Sequence, residues 1–514
     1  MRLIIPVLMM SSAAWAQEWN PLDARAKGMG NAGTALAEGA AASYWNPANL
    51  AKESPEPFGI SSGFGINISG QGDLAVEGDT IAALDRLSDL YEGLNFQLAQ
   101  NNLNTAGGAD DASLQSAIQI LDAINSLNED GTGLYFTGGG SMEVRFGSFS
   151  LFHRANITAG GDPIFDLVNG ISFSSLNQNQ FYSQITGGAL SAAGTNLMNN
   201  MIAGGFPAAQ DADGDGTPDV QELAFNAQQS LGDAGISDPN FQSTFITTSI
   251  ATNSGLALGQ PGNTLYSNGS GIVFQGILMR ETGISVGVPL SIIPIPFFST
   301  INVGIAIKEV IGETFYAKVL LSDLPDGESI VDDVRRQYKE NRERSNQFSM
   351  DAGISVSPLP WLTAGISAKN LIPMHFDSKF GEDIDIGPQV RMGVGFTPLG
   401  LLKIGMDVDL LENDLDQFVD GLKSRMGGAG VELTLPFISL RTGMFTNLSN
   451  VASSGGVWTG GIGMNLSIIH IDINGQLALS ETRIETGSLI NGTDSVRVPE
   501  RFSASVSVGM ELKF

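Results

Sequence analysis

The chain has 514 residues, no cysteine, 64 glycines, and 26 basic against 54 acidic side chains, a formal charge of −28. Without Cys there are no disulfide scaffolds, thiolate zinc sites or Cys nucleophiles, and so acidic a chain is no nucleic-acid binder, because phosphates need a basic surface. Charged residues make up 16% of the chain, against about 25% in an average soluble protein, so a string of soluble domains fits the composition poorly.

Residues 1–16, MRLIIPVLMMSSAAWA, read as a signal peptide. Arg2 is the positive start, Leu3 to Met10 the apolar core and Ala14-Trp15-Ala16 the A-x-A cleavage pattern, which would leave Gln17 as the mature N-terminus. No later stretch reaches the ~18–20 consecutive apolar residues of a membrane helix. Residues 17–57 are read as a plug, because 24–51 within them are dense in small side chains that can pack tightly and lack strand alternation.

Beyond this segment, period-two alternation dominates. Phe502, Ala504, Val506, Val508, Met510, Leu512 and Phe514 alternate with Ser503, Ser505, Ser507, Gly509, Glu511 and Lys513. Stretches around Ile301 to Lys308, Val390 to Phe396, Ile404 to Leu410, Ile462 to Ile468 and Ile469 to Asn474 repeat the pattern. One strand alone does not distinguish a soluble sandwich, whose apolar faces bury each other, from a membrane barrel, whose apolar faces meet lipid. Three features favour the barrel. The strands run about 10–14 residues, beyond the soluble mode of ~5–6. Tight connectors (Ser357-Pro358-Leu359-Pro360, Thr397-Pro398-Leu399-Gly400, Leu435-Pro436-Phe437) alternate with longer polar ones at 371–388, 411–425, 447–456 and 481–499. The chain also ends on the aromatic Phe514, as bacterial outer-membrane proteins do.

The reading is therefore all-β: a 14-stranded antiparallel transmembrane β-barrel over 58–514, with an N-terminal plug and extracellular inserts at 70–133, 160–276 and 311–345 that contain short helices. The strands are expected near 58–68, 134–146, 148–159, 277–290, 300–310, 346–357, 361–370, 388–397, 401–410, 426–435, 438–446, 457–468, 469–480 and 500–514. An even count puts both termini on the periplasmic side; the region 160–345 leaves 12 or 16 strands open. Helix periodicity marks Thr80 to Leu94, Ala112 to Leu127 and a charged stretch ending Arg335-Arg336-Gln337-Tyr338-Lys339-Glu340-Asn341-Arg342. The three histidines, His153, His375 and His470, are far apart in sequence and give little support for a metal site.

The most specific local motif lies at 211–222, DADGDGTPDVQE, which fits D-x-[DN]-x-[DN]-G-x5-E throughout. Asp211, Asp213 and Asp215 would supply carboxylates, Thr217 its carbonyl, Asp219 a water-mediated contact and Glu222 bidentate oxygens, with Gly216 making the sharp turn. Calcium is the cofactor expected. Pro207 and Pro218 depart from a regulatory EF-hand, so a lone structural site of weak affinity, of order 10⁻⁴–10⁻³ M, is the reading.

Residues 24–51, ARAKGMGNAGTALAEGAAASYWNPANLA, resemble the N-terminal hatch of the long-chain fatty-acid transporter (FadL-type) outer-membrane barrels. The matching elements are Gly28-Met29-Gly30-Asn31-Ala32-Gly33, Gly39-Ala40-Ala41-Ala42 before Ser43, and Asn46-Pro47-Ala48 with Leu50-Ala51. Within that superfamily the likeness is to TraF-like proteins of plasmid conjugation, through Met350-Asp351-Ala352-Gly353-Ile354, the segment Leu362 to Leu371, and Val303 to Lys308. The resemblance implies a plugged 14-stranded barrel in the bacterial outer membrane, with Asn46 and Pro47 holding the plug. It does not cover the two largest inserts, so no ligand-binding residue is carried over.

Two functions compete. The favoured one is passage of hydrophobic small molecules, with a pocket at the outer mouth lined by residues such as Phe165, Phe173 and Phe181. The other is a structural or assembly role beside envelope proteins of a conjugation or secretion apparatus. The sequence holds no nucleophile elbow, triad spacing or hydrolase motif, so no catalytic residue and no enzymatic activity are expected. Asp407, Asp409, Asp472 and Glu511 are read as lumen carboxylates ion-paired with Arg391, Lys403, Arg441 and Lys513. Outer-membrane lipid is the surrounding partner.

Overall fold

The computed structural model describes residues 18–52, 63–77, 132–164, 271–290, 300–320, 335–398, 400–449, 455–485 and 495–512, with Thr80 and short stretches between 188 and 225. Fourteen antiparallel strands close into a barrel. They are β1 (Phe64–Glu77), β2 (Gly133–Phe146), β3 (Phe149–Ile164), β4 (Gly271–Pro289), β5 (Thr300–Leu320), β6 (Glu343–Leu359) and β7 (Leu362–Lys369). The second half comprises β8 (Gln389–Phe396), β9 (Leu402–Asp409), β10 (Met426–Thr434), β11 (Ile438–Asn447), β12 (Val457–Leu466), β13 (Ile469–Ala478) and β14 (Arg501–Leu512). β1 pairs with both β2 and β14, so the sheet has no edge to protect.

The direction of the side chains decides between the two architectures that the alternation left open. On β14, Phe502, Val506 and Val508 are 44–47% exposed, while Arg501, Ser503, Ser505 and Ser507 are buried. Ile284, Ile307, Met406, Ile462 and Ile473 likewise face outward, at 55–59% exposure. Apolar side chains outside and serine, asparagine and ion pairs inside invert a soluble core. Such a belt is stable only against hydrocarbon, and its alternation is that of an outer-membrane barrel.

The short connections sit at the end that holds both the start of β1 and the end of β14. Phe146 and Phe149 flank Gly147-Ser148, Leu359 and Leu362 flank Pro360-Trp361, and Leu466 and Ile469 flank Ser467-Ile468. The last turn has no Gly or Pro; Ser467 itself adopts φ 61.

The wall is uneven. Strands β1 to β6 have 14 to 21 residues, whereas β7 to β13 have 8 to 10. Five strands depart from the sequence expectation. β1 lies at 64–77 rather than 58–68, β3 runs on to 164, β4 starts at 271, β5 runs on to 320, and β6 starts at 343, which shortens the expected inserts 70–133, 160–276 and 311–345. On β1 the outward glycines Gly70 and Gly72, opposite Val506 and Ala504, interrupt the apolar alternation inside the belt, and outside the bilayer, where no lipid imposes alternation, pairing continues through mixed sequence such as Gly312-Glu313-Thr314. The charged helix of the third insert is present at 335–341. The signal segment, Ala112 to Leu127 and all but the first residue of Thr80 to Leu94 lie outside the described residues.

Candidate functional site in the barrel lumen

The N-terminal segment lies inside the barrel. It forms only short turns of helix, Ala24–Lys27 and Ala42–Trp45, joined to 3-10 turns. Trp19, Leu22, Ala26, Ala37, Tyr44 and Trp45 pack as one buried cluster. The barrel receives this backbone on glycines. A Cβ at Gly304 would overlap Pro47, at Gly353 the Asn46 side chain, and at Gly428 and Gly430 the backbone of Gly30 and Met29. Gly30 itself takes φ 64, and a side chain there would run into the β10 and β11 carbonyls of Ala429 and Met444.

Polar groups then fix the register of the plug. Asp407 accepts hydrogen bonds from the backbone N–H of Gly33 (3.0 Å) and Thr34 (2.8 Å). The Thr459 hydroxyl accepts from Gly30 N–H and donates to the Gly28 carbonyl, each at 3.1 Å. Asn46 accepts from Ala48 N–H at 3.0 Å and donates to the Ile354 carbonyl of β6 at 3.1 Å. Pro47 opens the following turn, where its missing N–H costs nothing. Strand cations also cap the plug aromatics. Lys369 Nζ lies 3.1 Å from the Tyr44 ring centre and 4.1 Å from that of Trp19, and Arg391 stands 5.0 Å over Trp19.

On the outer side of the plug the lumen turns apolar. Two loops of the low wall, 371–388 and 411–425, fold inward as small hairpins pairing Met374–Phe376 with Ile384–Ile386 and Asn413–Asp414 with Lys423–Ser424. Their Met374, Phe376, Ile384, Ile386, Leu415, Phe418, Val419 and Leu422 join Tyr135, Ile277, Met279 and Val310 of the tall wall in one buried cluster. Phe376 covers Gly312, and the Phe418 backbone lies on Gly160. Gln275 donates to the Glu382 carbonyl at 2.7 Å, and Asp385 N–H donates to Gln417 at 3.0 Å, tying one loop to the wall and to the other loop. The Phe165, Phe173 and Phe181 expected at the mouth lie outside the described residues.

On the periplasmic side a cavity of about 220 Å³ is lined by Arg25, Glu38, Lys403, Glu432, Arg441 and Asp472 among others. Arg25 makes a double hydrogen bond to Glu432 (2.8 and 2.9 Å), and Arg441 bridges Glu432 to Asp472. Lys403 reaches Glu38 at 3.1 Å. Burial opposes ionisation of Glu38, but Lys403, Arg25 and Lys52 outweigh it and bring its carboxyl down to about 2. Of the expected lumen ion pairs, Arg391–Asp409 (2.5 Å) and Arg441–Asp472 (2.6 Å) form. Glu511 pairs with Arg145 at 2.7 Å, Asp407 serves the plug amides, and Lys513 lies outside the described residues.

In the calcium motif, Asp211, Asp213, Asp215 and Asp219 lie outside the described residues. Gly216 has the left-handed φ of 94 that the loop turn needs. Thr217 is half-buried and Glu222 fully buried, on a short helical turn with Val220. His375 has a setting that its sequence neighbours do not reveal. On the exposed face of the inward-folded 371–388 hairpin it bonds Asp385 at 2.7 Å and faces Asp377 and Asp383 at 3.3 and 3.8 Å. The hydrogen bond to Asp385 leads these carboxylates in raising its pKa.

The family described as F plasmid transfer operon, TraF, protein matches residues 43–409, from Ser43 in the plug to the end of β9. This chain belongs to that family. No curated protein is similar to it in sequence. Among solved structures, the P. putida toluene transporter TodX is 9% identical, with a TM-score of 0.42 over 97% of this chain and 99% of that one. The CymD monoaromatic hydrocarbon channel is 8% identical at 0.42 (97% and 99%), and a Pseudomonas aeruginosa FadL homologue 9% at 0.38 (98% and 100%). These likenesses are distant, and the fold of this TraF family member rests on its own strand order.

Proposed function

We propose that this barrel passes hydrophobic small molecules across the outer membrane. The observation that carries the reading is the buried apolar layer built by the two inward loops directly over the plug. A water-filled pore needs a polar lining throughout; an apolar layer in series with a plug excludes ions and offers a hydrophobe a place to desolvate. Release toward the periplasm then requires the plug to yield at contacts such as Asp407 to Gly33 and Thr34. TodX is a toluene transporter and CymD a monoaromatic hydrocarbon channel, and such hydrocarbons are solutes of this kind. A fluorescent fatty-acid probe is expected to bind the purified barrel, and Phe418→Asp to weaken that binding at least about tenfold by burying a charge in the layer. Unchanged binding would remove the apolar layer from the account. The name of the family keeps an envelope-assembly role as the alternative, which recovery of stable envelope partners together with no probe binding would favour.

We further propose that residues 211–222 hold calcium through Asp211, Asp213, Asp215, Thr217, Asp219 and Glu222. An all-oxygen donor set suits a hard cation, and Gly216 already has the required turn. Asp215→Ala is expected to abolish calcium-dependent protection of the 160–276 insert from protease; equal protection with and without calcium in the parent protein would refute the site.

A further inference from the structure

We propose that the helix 335–341 and the start of β6 form a docking surface for the phosphate-bearing headgroups of outer-leaflet lipid. Residues 335–344 hold five of the 26 basic side chains, Arg335, Arg336, Lys339, Arg342 and Arg344, against two acids, Glu340 and Glu343, in a chain of charge −28. The helix packs by one face. Tyr338 meets Phe315 edge-on at 5.4 Å. Gln337 accepts from Lys318 N–H and donates to the Lys318 carbonyl, each at 2.9 Å, and Asn341 donates to the Tyr316 carbonyl at 3.2 Å. These bonds fasten the helix to β5 beyond Thr314↔Glu343, where the β5–β6 pairing ends. The opposite face, with Arg335, Arg336 and Lys339, is exposed, as are Arg342 and Arg344.

The height of this face identifies its partner. Phe315 lies on the outer surface of the wall, covering Gly276 of β4. On β6 the outward apolar side chains end at Phe348, 65% exposed, and Arg344 is the outward residue four positions further up. Arg344, opposite Glu313, therefore follows the lipid-facing band where hydrocarbon gives way to headgroups, and the helix, fastened at Tyr316 and Lys318, carries the basic face further outward over the headgroup layer. Outward Glu313 is shared between Arg280 at 2.8 Å and Arg342 at 4.0 Å, so it offsets part of the charge of Arg342 and leaves Arg335, Lys339 and Arg344 to carry the basic face. Near a membrane surface each Lys or Arg contributes about fivefold in attraction to anionic lipid. A soluble acidic partner would not need the surface at this height, next to an exposed Phe.

The test uses the full-length protein in detergent and native mass spectrometry of bound lipid. The probes are a bis-phosphorylated glycolipid and its dephosphorylated form, with inorganic pyrophosphate as the free-phosphate competitor. The phosphorylated lipid is expected to be retained in preference, weakly competed by pyrophosphate. Combined Arg335→Gln, Arg336→Gln, Lys339→Gln and Arg342→Gln should lower its retention at least about tenfold, while Arg497→Gln, exposed on the 481–499 loop, leaves it unchanged. Equal retention of the two lipids, or of the lipid by parent and variant, would overturn the proposal, and full displacement by pyrophosphate would show an anion site with no lipid preference and overturn it too. If the combined variant loses its heat-dependent gel mobility, Lys339→Gln and Arg335→Gln are read singly, with about a fivefold loss expected from each and no loss contradicting the surface.

Discussion

At the scale of single residues, the plug is held by a few buried polar groups whose partners are backbone. Asp407 is the clearest, since it satisfies two consecutive amides of the turn at Gly33 and Thr34. Asp407→Ala strands both N–H groups and is expected to cost about 1–3 kcal/mol. Faster proteolysis of residues 18–52 in the intact barrel would report it, and Asp407→Asn, which keeps an acceptor, should cost less. Lys27 gives a pH signature. It is 1% exposed, and its ammonium donates to Gln71 at 2.6 Å and Ser503 at 2.9 Å. Burial pushes it down to about 8 from its ordinary 10.5, against the attraction of Asp73. The unfolded chain therefore binds the extra proton between about 8 and 10.5, so this residue's contribution to stability rises with pH through that window and is flat on either side. The Lys27→Met variant should lack that rise when unfolding midpoints are compared at pH 8 and pH 10; parallel profiles would contradict the shift.

At the scale of elements, the two inward loops act as one lid because Gln417 and Asp385 join them and their aromatic residues fill glycine gaps in the tall wall. Phe376→Ala should destabilise this layer by about 3–5 kcal/mol, visible as hydrogen exchange at 371–388 and 411–425 with little change in the barrel strands. Placing a methyl where Asn46 packs, by Gly353→Ala, should shift the plug and raise single-channel current; an unchanged current would mean that the wall gives way instead. The strands themselves were readable, because lipid on one face and a polar lumen on the other write a period of two directly into Phe502 to Leu512. The lid was not. Residues such as Leu415 and Phe418 sit in a polar stretch and become core only when the low wall's loops lean across to β3 and β4. The full height of the tall wall is not legible in the sequence for a related reason, since pairing beyond the membrane does not depend on alternation. Asn46 was legible through its motif, whereas the cation caps of Lys369 and Arg391 on the plug aromatics join residues over three hundred positions apart.

At the scale of the whole molecule, polarity is stacked along the barrel axis: an apolar lid, a glycine-seated plug and a charged periplasmic cavity, within a wall whose belt faces lipid. The folded barrel is expected to resist SDS until heated, with a mobility shift on boiling, because the closed sheet leaves no unpaired edge for unfolding to start from. The central claim concerns what passes. The most direct measurement is uptake into liposomes containing the purified protein, comparing a labelled hydrophobic solute with a small hydrophilic solute of similar size. The account predicts saturable entry of the hydrophobic solute, slowed by Phe418→Asp, and exclusion of the hydrophilic one. Free entry of the hydrophilic solute with no advantage for the hydrophobic one would contradict it.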